Sequence, residues 1–362
     1  MKGSGAKQRP WEANIRRVTP YVPGEQPNDK NMIKLNTNEN PYPPAPGVER
    51  VLHGMDADML RLYPDPTIKQ LVDELAEFYH LNSDQVFAGV GSDDVLAMAF
   101  LTFFNSGKPV LFPDITYSFY PVWCELFGIP YQRPALDGNF RIRKEDYYQP
   151  NGGVILANPN APTSIYEELS VMEDILLHNQ EAVVIIDEAY IDFAGASAVE
   201  LIARFENLLV VQTFSKSRSM AGMRIGYAMG NAALIKALND VKYSFNSYTM
   251  NQTSILAGVE AVKDVKYFEE GIHKILATRA RTEQYLAELG FSFPPSGANF
   301  LYATHGFIPA KELYEALREE HIFVRYFNSS RIDNYLRITI GTEKEMKQLY
   351  EFLKKYMESY IR

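Results

Sequence analysis

Leu208-Leu209-Val210-Val211, followed by Thr213-Phe214-Ser215-Lys216-Ser217-Arg218-Ser219-Met220-Ala221-Gly222-Met223-Arg224-Ile225-Gly226, is the stretch around which the chain is organised. The four apolar residues read as a buried strand, so the hydroxyl-rich segment falls in the loop at that strand's carboxyl end, where open α/β sheets keep their ligands. A lysine in such a loop can form a Schiff base with a carbonyl compound when neighbouring positive charge lowers its pKa. Arg218 and Arg224 stand close enough in sequence to supply that charge. With Ser215 and Ser217 they also make a candidate anion seat, because guanidinium forks and hydroxyls match phosphate oxygens. Aldehyde and phosphate together point to pyridoxal phosphate (PLP). A solvated Ser/Lys/Arg connection is the plain alternative, and the rest of the chain has to decide.

Working outward, the pattern alternates. Helical spacing in Ile68 to Tyr79 leads to Val86–Val90, and Gly91-Ser92-Asp93-Asp94 opens an apolar helix from Val95 to Phe104. Short apolar runs follow at Pro109–Phe112, Val154–Ala157, Val183–Ile186, Leu208–Val211 and Ile225–Met229. Strands alternating with helices imply an α/β domain with a mostly parallel sheet covered on both faces. After the helix Ala232–Lys242, a helical region runs through Leu289 with an expected break near Gly271. Strands at Asn299–Ala303, Ile322–Phe327 and Tyr335–Ile340, with helices Ala310–Glu320 and Thr342–Tyr360, then form a smaller α+β domain. Residues 1 to about 50 are rich in Pro and Asn and cannot hold a long helix, so they read as an arm laid over another surface. The expected division is 1–50 for the arm and part of the small domain, 51–245 for the large PLP-binding domain and 246–362 for the small C-terminal domain.

Composition narrows the class. With 362 residues, 46% hydrophobic and 22% charged, the chain reads as an ordinary soluble protein with a large core. A formal net charge of −9 argues against nucleic acid or an anionic membrane as a main partner, so any anionic substrate has to be held by local arginines. The single cysteine, Cys124, lies in an apolar context and excludes a disulfide framework within the chain. No run is long and apolar enough to span a bilayer, and the polar start from Met1 to Arg9 lacks a signal peptide's apolar core. A cytoplasmic location is the expectation.

Other candidate residues follow strands. Ser92 and Asp93, at a glycine-flanked helix start, offer backbone amides to a phosphate; a plain N-cap is the alternative. Tyr117 can stack on a flat ring, although in a chain with 23 tyrosines a structural role competes. Asp187, in Val183-Val184-Ile185-Ile186-Asp187-Glu188-Ala189-Tyr190, is a carboxylate directly after a hydrophobic strand. Burying it is costly unless it is paired, and a protonated pyridine nitrogen is a suitable partner, while no His or Cys cluster points to a metal. Tyr190 is then within reach of the cofactor's phenolic oxygen. Asn158-Pro159-Asn160-Ala161-Pro162-Thr163-Ser164 makes a sharp turn at the same sheet edge. Arg337, within the alternation Leu336-Ile338-Ile340, projects to the opposite face, which is solvent or a cleft wall.

In this order, these segments resemble the fold type I PLP-dependent aminotransferases, and closely the histidinol-phosphate aminotransferases, over nearly the whole chain. The resemblance implies a seven-stranded large-domain sheet, a PLP Schiff base on Lys216, Asp187 paired with the pyridine nitrogen and Tyr190 bonded to the phenolic oxygen. It implies that Ser92, Asp93, Ser215 and Arg224 hold the phosphate and that Tyr117 stacks on the ring. It also implies a homodimer in which Tyr63 reaches the partner's cofactor phosphate. Tyr21, Asn38, Arg325 and Arg337 match substrate-contacting positions, the arginines as anion holders. The implied reaction moves an amino group from L-histidinol phosphate to 2-oxoglutarate, yielding imidazole acetol phosphate and glutamate in histidine biosynthesis. One position departs: the family's Asn before Pro-Thr-Gly is Ala161 here, and the glycine is Ser164. Asn160 or Asn158 is expected to compensate. Transamination of phenylalanine or tyrosine, decarboxylation of threonine phosphate, and a PLP-binding regulatory protein with little turnover are the competing readings.

Overall fold

The computed structural model describes residues 9–22, 24–27 and 32–360; Pro23 of the arm and the polar start from Met1 to Gln8 lie outside them. In chain order the regular elements begin with β1 (Ile33–Lys34), α1 (Pro46–Gly54), α2 (Lys69–Tyr79), β2 (Val86–Gly89), α3 (Ser92–Phe103), β3 (Val110–Leu111), α4 (Phe119–Phe127) and β4 (Tyr131–Gln132). Then come β5 (Gly153–Ala157), α5 (Leu169–Leu177), β6 (Val184–Asp187), β7 (Leu208–Thr213), β8 (Gly226–Gly230), α6 (Ala232–Phe245), α7 (Gln252–Lys263) and α8 (Val265–Glu288). The last are β9 (Phe291–Ser292), β10 (Phe300–His305), α9 (Ala310–Glu319), β11 (Ile322–Phe323), β12 (Arg325–Tyr326), β13 (Leu336–Thr339) and α10 (Glu343–Tyr360).

Seven strands form one sheet in the order β2-β8-β7-β6-β5-β3-β4, parallel except for β8, which runs antiparallel to both of its neighbours. Every residue of β5, β6 and β7 is buried, as continuous apolar strands covered on both faces require. Alternate residues serve opposite faces. Leu208 and Val210 of β7 pack with Met172, Ile175 and Val262, while Leu209 and Val211 pack with Phe100, Trp123 and Leu238. Register aligns Ala157 with Asp187 and Asp187 with Val211, so the loops leaving β5, β6 and β7 emerge along one edge.

A second core surrounds the four-stranded antiparallel sheet β12-β13-β10-β9 and takes in residues of α8, α9 and α10. The arm enters it: β1 pairs in parallel with β11, and the buried Leu35 accepts a backbone bond from Thr339. Cys124 is buried, and burial pushes its thiol up to about 12.

Four sequence expectations are corrected. The helix break falls at Asp264, whose carboxylate caps α8 by accepting from the Tyr267 N–H at 3.2 Å; Gly271 lies inside the helix with open space beside it. Helix α7 buries Ile255, Ala257 and Val262 in the first core, so residues 246–263 pack with the large domain. The run 322–327 divides into β11 and β12, which pair in different sheets. Thr213 remains in the β7 ladder, so the loop starts one residue later. Among the described residues no helix is long and apolar enough to cross a membrane.

Candidate active site

The loops at that edge, the arm and β12–β13 enclose a cleft of about 1050 Å³. Lys216 reaches it through a tight turn: the Ser215 N–H bonds back to Thr213 Oγ1 at 3.1 Å, and Phe214 is fully buried beneath. Lys216 Nζ donates to the Thr37 carbonyl at 2.9 Å and stands 5.7 Å from the centre of the Tyr190 ring. The loop's two arginines part company here. Arg224 lines the cleft, but Arg218 is buried behind the loop against Phe78, Phe214 and Phe268, with Nη1 bonded to the Ala261 carbonyl at 2.8 Å. Ser217 turns the same way and donates to Asp192. Neither belongs to the anion seat that the sequence suggested: both side chains are bonded behind the loop and stand outside the cleft's lining.

Asp187 ends β6 and is enclosed. Its Oδ2 accepts from the Tyr120 hydroxyl at 2.7 Å, and its Oδ1 has no partner. Desolvation raises this carboxyl to about 6, against the lowering effect of the Tyr120 bond. An enclosed carboxylate with one bare oxygen suits a protonated ring nitrogen. Tyr120 did not emerge from the sequence; its signal was its place three residues after Tyr117, across the first turn of α4.

The phosphate end is a cradle. Ser92 is the first residue of α3, after Gly91 at φ +90°, and a Cβ on Gly91 would lie 2.5 Å from Arg224 Nη2. The guanidinium therefore lies across a helix start whose backbone amides are free to bind an anion. Tyr117 donates to Asp93 Oδ1 at 2.7 Å, and Asp93 Oδ2 lies 3.7 Å from Arg224 Nη2. Ser92, Asp93, Tyr117, Ser215 and Arg224 all line the cleft, so the donor set fits a phosphate beside Lys216 and Asp187.

At the other end Arg325 and Arg337 face each other across the β12–β13 ladder. Like charges directly opposite repel, so the pair invites an anion. Arg337 lies over Phe300 and Phe327, donates from Nη2 to the Asn36 carbonyl at 2.8 Å and leaves Nε unpartnered; desolvation, with Arg325 adding to it, lowers its pKa. The alternation of Leu336 and Ile338 into the core turns Arg337 to the cleft rather than to solvent. Tyr21 lines the same wall, stacked on Phe119 at 4.2 Å.

Four expected residues stand differently. Asn160 points away from the cleft, bonded to Ile115, Thr116 and Thr163, and Asn158 is tied to Glu167, so neither replaces the asparagine missing at the cleft-lining Ala161. Asn38 lines the cleft, yet its amide bonds Tyr190 and Thr339, leaving little for a substrate. Tyr63 is 82% exposed, stacks on Tyr248 and lies outside this chain's own cleft.

The family described as "Aminotransferase class I and II" matches residues 30–353. The histidinol-phosphate aminotransferase of Acinetobacter baumannii (strain SDF) is 51% identical over 358 residues, covering 98% of this chain and 99% of its own. That of Lactococcus lactis subsp. cremoris (strain MG1363) is 49% identical over 349 residues, covering 96% and 98%. The crystal structure of histidinol-phosphate aminotransferase from Sinorhizobium meliloti in complex with pyridoxal-5'-phosphate has a TM-score of 0.82 at 23% identity, covering 90% of this chain and 91% of that one. The L-threonine-O-3-phosphate decarboxylase from Porphyromonas gingivalis reaches 0.77 at 19%, covering 90% and 100%. Those two likenesses show the fold, which does not choose between transfer and decarboxylation; the close relatives do. The chain belongs to the class I and II aminotransferases and, within them, to the histidinol-phosphate aminotransferase family.

Proposed function

We propose that the protein transfers the amino group of L-histidinol phosphate to 2-oxoglutarate, giving imidazole acetol phosphate and L-glutamate. The cofactor is PLP. The observation that carries the reading is that Arg325 and Arg337 share one cleft with Lys216, the bare Asp187 oxygen and the Ser92–Arg224 cradle.

When bound, PLP supplies an aldehyde that condenses with amines and a ring that accepts the electron pair left by a departing α-proton. Asp187 Oδ1 holds a proton at the ring nitrogen. Ser92, Asp93, Ser215 and Arg224 seat the phosphate, the first two through backbone amides, and Tyr117 covers the ring. Lys216 Nζ, at the aldehyde end of the site, would take the proton from the substrate's amino-bearing carbon. The arginine pair binds the phosphate ester of one substrate and a carboxylate of the other, since guanidinium forks suit both anions. Tyr21, on the arm, closes the cleft over them.

We also infer a cytoplasmic homodimer. Leu60, Leu62, Tyr63 and Phe245 are 71%, 61%, 82% and 72% exposed, more large apolar surface than a lone chain usually leaves to water in one region of sequence and its neighbour. A second copy covering it would receive Tyr63.

The test uses the PLP-loaded protein without any keto acid, mixed separately with L-histidinol phosphate, phenylalanine and threonine phosphate while the visible cofactor band is followed. Rapid bleaching by histidinol phosphate alone is expected. Equal or faster bleaching by phenylalanine would replace this reading with an aromatic aminotransferase, and carbon dioxide release from threonine phosphate with a decarboxylase. Binding without turnover of any amine would leave a regulatory protein.

A further inference from the structure

Ala161 lines the cleft with no polar group, and neither Asn158 nor Asn160 turns toward it. A polar side chain that reaches Tyr190 on the same cleft comes from the arm. We infer that Asn38 is a positioning residue that aims the Tyr190 hydroxyl proton into the cleft, where it meets the cofactor's phenolic oxygen. The inference rests on the transamination reading above.

Asn38 is 1% exposed and adopts φ +58°, a left-handed conformation that Asn tolerates better than most residues. Its backbone N–H donates to Thr339 Oγ1 at 3.0 Å, and its carbonyl accepts from Asn299 Nδ2 at 3.0 Å. With one lone pair of Thr339 Oγ1 taken, the Thr339 hydroxyl donates to Asn38 Oδ1, also at 3.0 Å. Reversing the amide would leave that hydroxyl proton without this acceptor and aim a second donor at the same oxygen. Oδ1 therefore faces Thr339, and Nδ2 faces Tyr190.

Nδ2 donates to the Tyr190 hydroxyl oxygen at 2.9 Å. A phenol carries one proton, which lies near the ring plane on one side of the oxygen or the other. The amide occupies one side, so the proton takes the other. Tyr190 is 9% exposed, makes no other side-chain hydrogen bond among the described residues, and is held edge-on against Phe300 at 5.1 Å. Its proton is left for a cleft ligand. Lys216 marks the aldehyde end of the ring, Asp187 the nitrogen, and the Ser92–Arg224 cradle the phosphate arm. The ring oxygen beside the aldehyde carbon is the polar substituent that remains for Tyr190. In this chain the donor is oriented from behind by the arm, and no asparagine at position 161 shares the task.

The test is a pH titration of the visible band of the full chain loaded with PLP, without substrate, which reads the pKa of the cofactor's imine with Lys216. A donor to the ring oxygen lessens that oxygen's hold on the imine proton, so removing the donor raises the pKa. Tyr190→Phe is expected to raise it by about one to two pH units, the worth of a hydrogen bond to a charged group. Asn38→Ala is expected to raise it by about one unit, and Thr339→Val, which keeps Asn38 but removes the hydroxyl orienting it, by less. The Asn38→Ala/Tyr190→Phe double variant should match Tyr190→Phe alone. A full additional shift in the double variant, or no shift in either Asn38→Ala or Thr339→Val, overturns the inference while leaving transamination intact. Absence of any PLP band in the unaltered chain overturns both.

Discussion

Asp187, buried, and Arg337, half-buried on the cleft wall, are opposite charges with the same predicament, each holding a buried polar atom bonded to nothing. For Asp187 the cost has a pH dependence whose sign can be worked out. Burial raises the carboxyl from its ordinary 3.8 to about 6, so the folded chain holds this proton more tightly than the unfolded chain does. Stability is withdrawn as pH climbs through that window, and above it the enclosed carboxylate costs up to about 3 kcal/mol. Asp187→Asn should therefore melt higher than the parent in the cofactor-free state at pH 7.5, with the gap closing near pH 4, while its turnover falls by about 100-fold or more. Calorimetry at the two pH values checks it; equal melting at pH 7.5 would mean that the site is already hydrated. Asp187, Lys216 and Arg224 were legible because each stands at a fixed offset from an apolar strand. Arg218 was misread because sequence proximity to Lys216 does not say which side of a tight turn a side chain takes. Tyr120 escaped, and Asn38 was legible only as a substrate contact, because their partners Asp187 and Tyr190 lie 67 and 152 residues away.

Among the elements, β8 is the one that brings Arg224 to the cradle. It enters the sheet antiparallel between β2 and β7, pairing Gly226 with Gly89 on one side and with Thr213 on the other. A Cβ at Gly226 would lie 2.2 Å from both Gly91 C and Ser92 N, a clash with backbone that no side-chain rotation relieves. Gly226→Ala should push the start of α3 off the sheet and weaken PLP binding by about tenfold or more, with a lower melting temperature. A fluorescence titration with PLP reads it, and unchanged affinity would show that the cradle does not depend on this contact. Strand and helix positions were legible from periodicity, usually to within a residue or two. Pairing was not, because a two-residue alternation says which face a side chain takes and nothing about which neighbour its N–H finds. Hence Ile322 to Phe327 read as one strand, though its halves bond to β1 and to β13. Gly271 read as a break although a helix passes through it, since a mid-helix glycine costs only about 1 kcal/mol.

For the whole molecule, the proposed dimer makes each cleft depend on two chains. Mixing Lys216→Ala chains with Tyr63→Ala chains and allowing subunits to exchange should yield hybrids with one intact cleft, built from the Lys216 of one chain and the Tyr63 of the other. Activity above the sum of the separate variants is expected, and its absence after confirmed exchange would place Tyr63 outside the partner's site. The two cores were legible as two patterns of alternation, but the seam between them was not, since α7 reads as helix wherever it packs. The arm ties the two cores together. Its Asn38 bonds Thr339 across 301 residues of chain, and Leu35 lies fully within the second core. During synthesis that segment leaves the ribosome 301 residues ahead of its partner on β13. At 5–20 residues per second the interval is about 15–60 s, during which Leu35 and its neighbours have no native surface to cover them. The arm that completes the cleft is thus also a stretch open to chaperones and proteases until its partners have been made.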